Sequence, residues 1–263
     1  MGTIYAIANQ KGGVGKTTTC VNLAASLAAT KKQVLLVDLD PQGNATMGSG
    51  VDKNDLEYSI YDVLMGLTRP ENAYCTSPDG HYTVLPANGD LTAAEVEMLP
   101  LENKEYRLKS ALSAAKEQFD YVLIDCPPSL NMLTVNGLTA CDGVLIPMQC
   151  EYYALEGLSA LVNTINTIQS VLNPKLKIEG ILRTMYDPRN SLTGDVSQQL
   201  HSHFGDRLYR TCVPRNVRLA EAPSFGMPVI AYDKQSKGAL AYIALAGEIL
   251  RRNEASTLEL ATA

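Results

Sequence analysis

Short apolar runs alternate with amphipathic stretches along the whole chain. Runs at 4–8, 33–37, 82–87, 119–124, 143–148, 177–184 and 208–213 have the length and branched composition of strands buried on both faces. Between them, apolar residues recur at helical spacing over 20–28, 59–65, 105–118, 131–140, 154–172, 194–204, 217–222 and 238–252. Ser59 stands at an N-cap position before one of these helices. Leu108, Leu112 and Ala115 share one face of another, and Leu155, Leu158, Leu161, Val162, Ile165 and Ile168 a face of the longest. The pattern is weakest between 44 and 105. Regular strand–helix alternation predicts a single α/β domain over residues 1–252, a mostly parallel twisted sheet with helices on both faces. Residues 253–263 are expected to form a frayed tail.

Composition narrows the class. The chain has 263 residues, 46% of them hydrophobic, which suits one large α/β domain. No uncharged apolar run reaches the length of a membrane span, and the first strand starts at once, so neither a membrane anchor nor a signal peptide is expected. The six cysteines form no C-x-x-C pair and read as reduced, mostly core thiols; His81, His201 and His203 suggest no metal site. Net charge is −6, yet residues 183–252 hold ten Lys and Arg against six Asp and Glu. A local positive face on an acidic molecule, or scattered surface charge, would both produce that balance.

The densest chemistry lies between the first strand and the first helix, in Lys11-Gly12-Gly13-Val14-Gly15-Lys16-Thr17-Thr18. A glycine-rich turn from strand to helix lets backbone N–H groups converge on an anion at the positive end of a helix. In this pattern Lys16 reaches the β- and γ-phosphates of a nucleotide and the Thr17 hydroxyl meets Mg²⁺. The position four before Gly15 is Lys11 rather than glycine, a second cation at the mouth of the loop. Two further strands end in carboxylates: Asp38 and Asp40 after 33–37, and Asp125 after 119–124. The carboxyl ends of parallel strands are where such sheets place their sites. Asp38 and Asp40 could cap the next turn or orient a water for phosphoryl transfer; Asp125 is placed to hold Mg²⁺ water beside Thr17.

The lysine-containing octet resembles the deviant Walker A signature of the ParA/MinD group of P-loop ATPases. With Asp38-Leu39-Asp40-Pro41-Gln42-Gly43-Asn44, Cys126-Pro127-Pro128-Ser129 and Ala220-Glu221-Ala222-Pro223-Ser224, the match runs nearly end to end and is most similar to ParA/Soj partition ATPases. The resemblance implies an ATP/ADP- and Mg²⁺-dependent enzyme, slow without its partner. It implies that Lys11 reaches across a sandwich homodimer to the other subunit's nucleotide. Asp40 matches the catalytic aspartate, Asp38 its more structural, Mg²⁺-proximal neighbour, and Pro214 and Asn216 the segment beside adenine. It further implies non-specific binding of double-stranded DNA, a stimulating ParB-type partner, and a cytoplasmic, nucleoid-associated location. Arg189 and Arg218 match positions that family members use for DNA; Arg215, Lys234, Lys237, Arg251 and Arg252 are added on charge alone. A MinD-like membrane-recruited ATPase is the alternative, but 251–261 has two acids and few large apolar residues for a membrane-surface helix. No cysteine spacing supports an iron–sulfur carrier. A small-molecule ligase stays open.

Overall fold

A computed structural model describes residues 2–152 and 154–262, with side chains up to 255. Eight strands form one sheet: β1 (Thr3–Ile7), β2 (Val34–Asp38), β3 (Cys75–Thr76), β4 (Thr83–Leu85), β5 (Tyr121–Asp125), β6 (Gly143–Gln149), β7 (Lys177–Tyr186) and β8 (Leu208–Pro214). Their order is β3-β4-β2-β5-β1-β6-β7-β8, and every pairing is parallel except the short β3–β4 edge. In the first half the helices are α1 (Lys16–Ala28), α2 (Asn44–Gly48), α3 (Ile60–Met65), α4 (Leu91–Glu97), α5 (Arg107–Ala111) and α6 (Ala115–Gln118). The second half adds α7 (Met132–Ala140), α8 (Ala154–Val171), α9 (Ser191–Phe204), α10 (Val217–Glu221), α11 (Val229–Tyr232) and α12 (Lys237–Thr262).

Side-chain alternation divides the core into two layers. Ile4 and Ala6 of β1, Leu35 and Val37 of β2, and Val122 and Ile124 of β5 pack with α3 to α9. Tyr5 and Ile7, Val34 and Leu36, and Tyr121 and Leu123 pack with α1 and α12 on the other side. The central strands are therefore apolar on both faces up to the carboxylates that end β2 and β5, which is why they read as continuous runs.

The structure departs from the sequence reading in three places. The helix expected over 105–118 is broken: a 3₁₀ turn at Lys104–Tyr106 leads into α5, and α6 follows after a gap. The break is bridged by the tighter bonds Ser113 N to Ser110 O and Ala115 N to Leu112 O. That turn lets Leu108, Leu112 and Ala115 all stay buried. The helix expected to stop at Arg252 runs on to Thr262, because residues 253–262 contain no glycine or proline to end it. Asn253 is also tied to the sheet, accepting from Tyr5 Oη (2.9 Å) and donating to Tyr121 Oη (3.1 Å). Third, α2, α4 and β3 fill the stretch where no periodicity stood out. Ser59 caps α3 as expected, in a capping box with Asp62.

The free edge of β8 is irregular. β7 advances two residues, Ile181 to Arg183, while β8 advances four, Leu208 to Cys212. The resulting bulge takes backbone groups of β8 out of the ladder with β7, and side chains satisfy them. Glu248 of α12 accepts from Arg210 N (2.9 Å) and Thr211 N (3.0 Å), and Arg183 donates to the carbonyls of Tyr209 (2.8 Å) and Arg210 (3.3 Å).

Candidate nucleotide site

Register brings the site together. Ile7 pairs with Asp125 and Asp125 with Asp38, so the loop after β1 sits beside two carboxylates at neighbouring strand ends. The loop turns through Gly13 (φ 72°) and Gly15 (φ 88°), in the left-handed region that favours glycine. α1 starts at Lys16 with no side chain capping its first N–H groups, which leaves them for an anion. A Cβ built on Gly12 or Gly13 would meet nothing within 4 Å, so this lip of the loop faces open space.

Asn9 at the start of the loop and two side chains from neighbouring strands, Gln149 of β6 and Thr184 of β7, hold the loop. Asn9 donates to Pro147 O (2.8 Å) and accepts from Lys11 N (3.0 Å). Gln149 donates to Gly13 O (3.1 Å), and Thr184 to Val14 O (2.8 Å). Their signal was available only as polar residues closing apolar runs.

The two lysines differ in setting. Lys16 is 7% exposed, and its Nζ donates to Lys11 O at 3.3 Å. Burial pulls its pKa down, opposed by the charge of Asp125. Lys11 lies outside the loop, exposed, in an ion pair with Glu151 beyond β6.

The carboxylates also separate into roles. Asp125 accepts from Thr17 Oγ1 at 2.7 Å through Oδ2, while its buried Oδ1 has no partner. Burial pushes its pKa well up, and repulsion from Asp38 adds to this. A hydroxyl and an unsatisfied buried carboxylate oxygen are a hard-oxygen donor pair, the kind Mg²⁺ takes with water and phosphate completing its shell. The residues present therefore fit this cation. Asp38 is fully buried and already engaged: it accepts from Thr46 N (2.8 Å), Thr46 Oγ1 (2.7 Å) and Asp40 N (3.2 Å). Thr46 Oγ1 in turn accepts from Ala87 N (2.9 Å), tying the segment after β2 to the end of β4. Asp38 thus shapes the segment and acts on the cation position through its charge. Asp40 is half-buried and accepts from Gln42 N (3.0 Å).

Beside the loop is a cavity of about 200 Å³ lined by Gly15, Thr18, Thr184, Met185, Pro214 and Asn216. It brings Pro214 and Asn216 next to the phosphate loop. Asn216 caps α10, accepting from Leu219 N (3.3 Å).

The basic residues divide in a way that charge counting could not show. Arg189 is exposed and forks onto Asp187 with bonds of 2.9 and 2.8 Å. Arg218 pairs with Glu221 (2.8 Å) and Asp233 (3.3 Å). Arg252 is committed to the fold: it pairs with Glu248 (2.8 Å), donates to Leu208 O (3.2 Å) and covers the Tyr209 ring at 4.3 Å. Arg215, Lys234, Lys237 and Arg251 are exposed, and among the described residues none has a carboxylate partner. Among those residues no helix is long and apolar enough to cross a membrane.

Comparison with known proteins gives a consistent family. A family model described as an AAA domain matches residues 2–178. An uncharacterized protein of Pseudomonas putida is 68% identical over 252 residues, 96% of each chain. The sporulation initiation inhibitor protein Soj of Bacillus subtilis is 53% identical over 249 residues, 95% of this chain and 98% of that one. A crystal structure named as cobyrinic acid a,c-diamide synthase from Mycobacterium smegmatis, with bound ADP and magnesium, superposes with a TM-score of 0.86. It is 39% identical and covers 97% of both chains.

Proposed function

Because the chain belongs to the Soj/ParA family of partitioning ATPases, we propose that it segregates DNA by an ATP-gated dimer cycle. It is an ATPase using ATP/ADP and Mg²⁺. In our reading, two subunits close face to face over two nucleotides, and Lys11 of each reaches the phosphates of the other. The carrying observation is the setting of Lys11. Its side chain lies outside its own loop, exposed, beside glycines that leave the lip open. Glu151 holds it there, clear of its own loop and available to a facing copy.

Lys16 and the loop N–H groups hold the phosphates, and Thr17 and Asp125 hold Mg²⁺, which neutralises charge on the β- and γ-phosphates. Asp40 orients the attacking water and takes its proton late in transfer. Turnover is slow alone, because nothing supplied within the subunit fully offsets the developing charge. A ParB-type partner accelerates it. The closed dimer binds duplex DNA through backbone phosphates, with Arg189, Arg215, Arg218, Lys234 and Lys237 as contacts, and nucleoid association follows.

The test uses the Asp40→Ala variant with random-sequence duplex, in ATP and in ADP, over a salt series. Sequence-indifferent binding that needs ATP and falls steeply with salt is expected. Equal binding in both nucleotides, or none in either, removes the partition reading.

A further inference from the structure

A second concavity is lined by Arg183 and Tyr186, where the cavity beside the phosphate loop is lined by Thr184 and Met185. A groove of about 990 Å³ runs along the free edge of β8, between α9 and α12. It exists because the sheet ends there while the helices on its two faces continue past the edge. Four guanidinium groups line it, from Arg183, Arg210, Arg251 and Arg252. Two carboxylates, Asp206 and Glu248, share the lining. Glu248 is spent, since both of its oxygens accept from β8 and Arg252 takes one of them.

The charge at the base of the groove is incompletely answered. Arg183 donates only to neutral groups, namely Ser197 Oγ (2.7 Å) and two carbonyls, and its buried Nε has no partner. Among the described residues no carboxylate pairs with Arg183, Arg210 or Arg251. A guanidinium drawn partly out of water without a counter-charge is costly, and an anion entering the groove would supply one. The walls are also cut back. A Cβ at Gly194 of α9 would meet nothing within 4 Å, and one at Gly247 of α12 would meet only the end of the Arg251 side chain at 3.4 Å. Glycine inside a helix gives up about 1 kcal/mol against alanine; here it leaves room over the arginines.

We propose that this edge groove is a second anion site, built for a small polyphosphorylated ligand and separate from the phosphate loop. Guanidinium forks match phosphate oxygens two at a time, which suits clustered arginines to phosphate rather than to an isolated carboxylate. A concave slot between two helices admits a small molecule, whereas a duplex could touch only its rim.

The probe is inorganic tripolyphosphate, titrated by calorimetry into full-length protein whose phosphate loop is already saturated with ADP, at a fixed excess of Mg²⁺. One further saturable site per chain is expected. Gly194→Leu, which favours the helix and fills only open space, should weaken it by about tenfold or more, and Arg210→Gln by about tenfold. ADP affinity should be unchanged in both. No saturable binding to the ADP-loaded wild type would overturn the proposal, as would binding that neither variant weakens. So would a result in which both variants lose duplex DNA while tripolyphosphate never binds, since the groove would then belong to DNA.

Discussion

At the scale of single residues, the site depends on which buried polar atoms have partners. Thr17 and Asp125 form a pair with one carboxylate oxygen left over. Thr17→Ala should therefore weaken nucleotide binding in Mg²⁺ by at least about tenfold, as loss of even an outer partner of a metal does. It should change little in EDTA, and a parallel loss in EDTA would mean that Thr17 acts on the loop rather than on the cation. Thr46 is a different kind of residue, a relay between Asp38 and Ala87 N. Thr46→Val keeps the shape but strands a buried N–H, for about 1–3 kcal/mol in a urea melt. An unchanged midpoint would show that the segment reorganises. The lysines and aspartates were legible from sequence because strand ends and glycine turns announce them. Thr46, Gln149 and Thr184 were not, because a lone polar residue closing an apolar run carries no spacing that says what it will bond.

Among the elements, the buried parallel strands and the long amphipathic helices were legible, since burial on two faces or one writes a simple period. The segment from 44 to 105 was not, because its helices are at most seven residues long, too short for a period to repeat. α12 shows the other limit: its end was misjudged by ten residues, since polar composition alone does not stop a helix. Its far half is anchored by Asn253 between two tyrosine hydroxyls. Asn253→Ala should cost about 1–2 kcal/mol of unfolding free energy, read by denaturant titration, with ATP affinity untouched. Loss of ATP affinity at equal stability would mean that the anchor reaches the site.

For the molecule as a whole, the dimer and the DNA surface are the quantities to test. Gly12 has no positive φ, and a Cβ there meets no other residue of the chain, so Gly12→Val leaves the fold unstrained and, where ATP affinity is retained, obstructs a facing copy. It should remain monomeric in ATP by light scattering, and ATP-dependent dimers would contradict the face-to-face arrangement. Arg189 and Arg218 are each held by acids, which duplex DNA would have to displace under the proposed contacts. Asp187→Asn should raise duplex affinity of the ATP form by about twofold to fivefold at low salt, and a fall would remove Arg189 from the surface. Fold and phosphate site could be read from the chain because both depend on local order. The state of the basic residues could not, since a charge count does not say which arginines are paired: Arg189 with Asp187 two residues before it, Arg218 with Glu221 one turn on and with Asp233. The bulge on β8 has one more consequence. An open strand is an invitation to add another, from any copy that drifts near. Here Glu248 and Arg183 already bond the N–H groups of Arg210 and Thr211 and the carbonyls of Tyr209 and Arg210, and a bulged strand whose backbone groups are taken by side chains is a poor template for another.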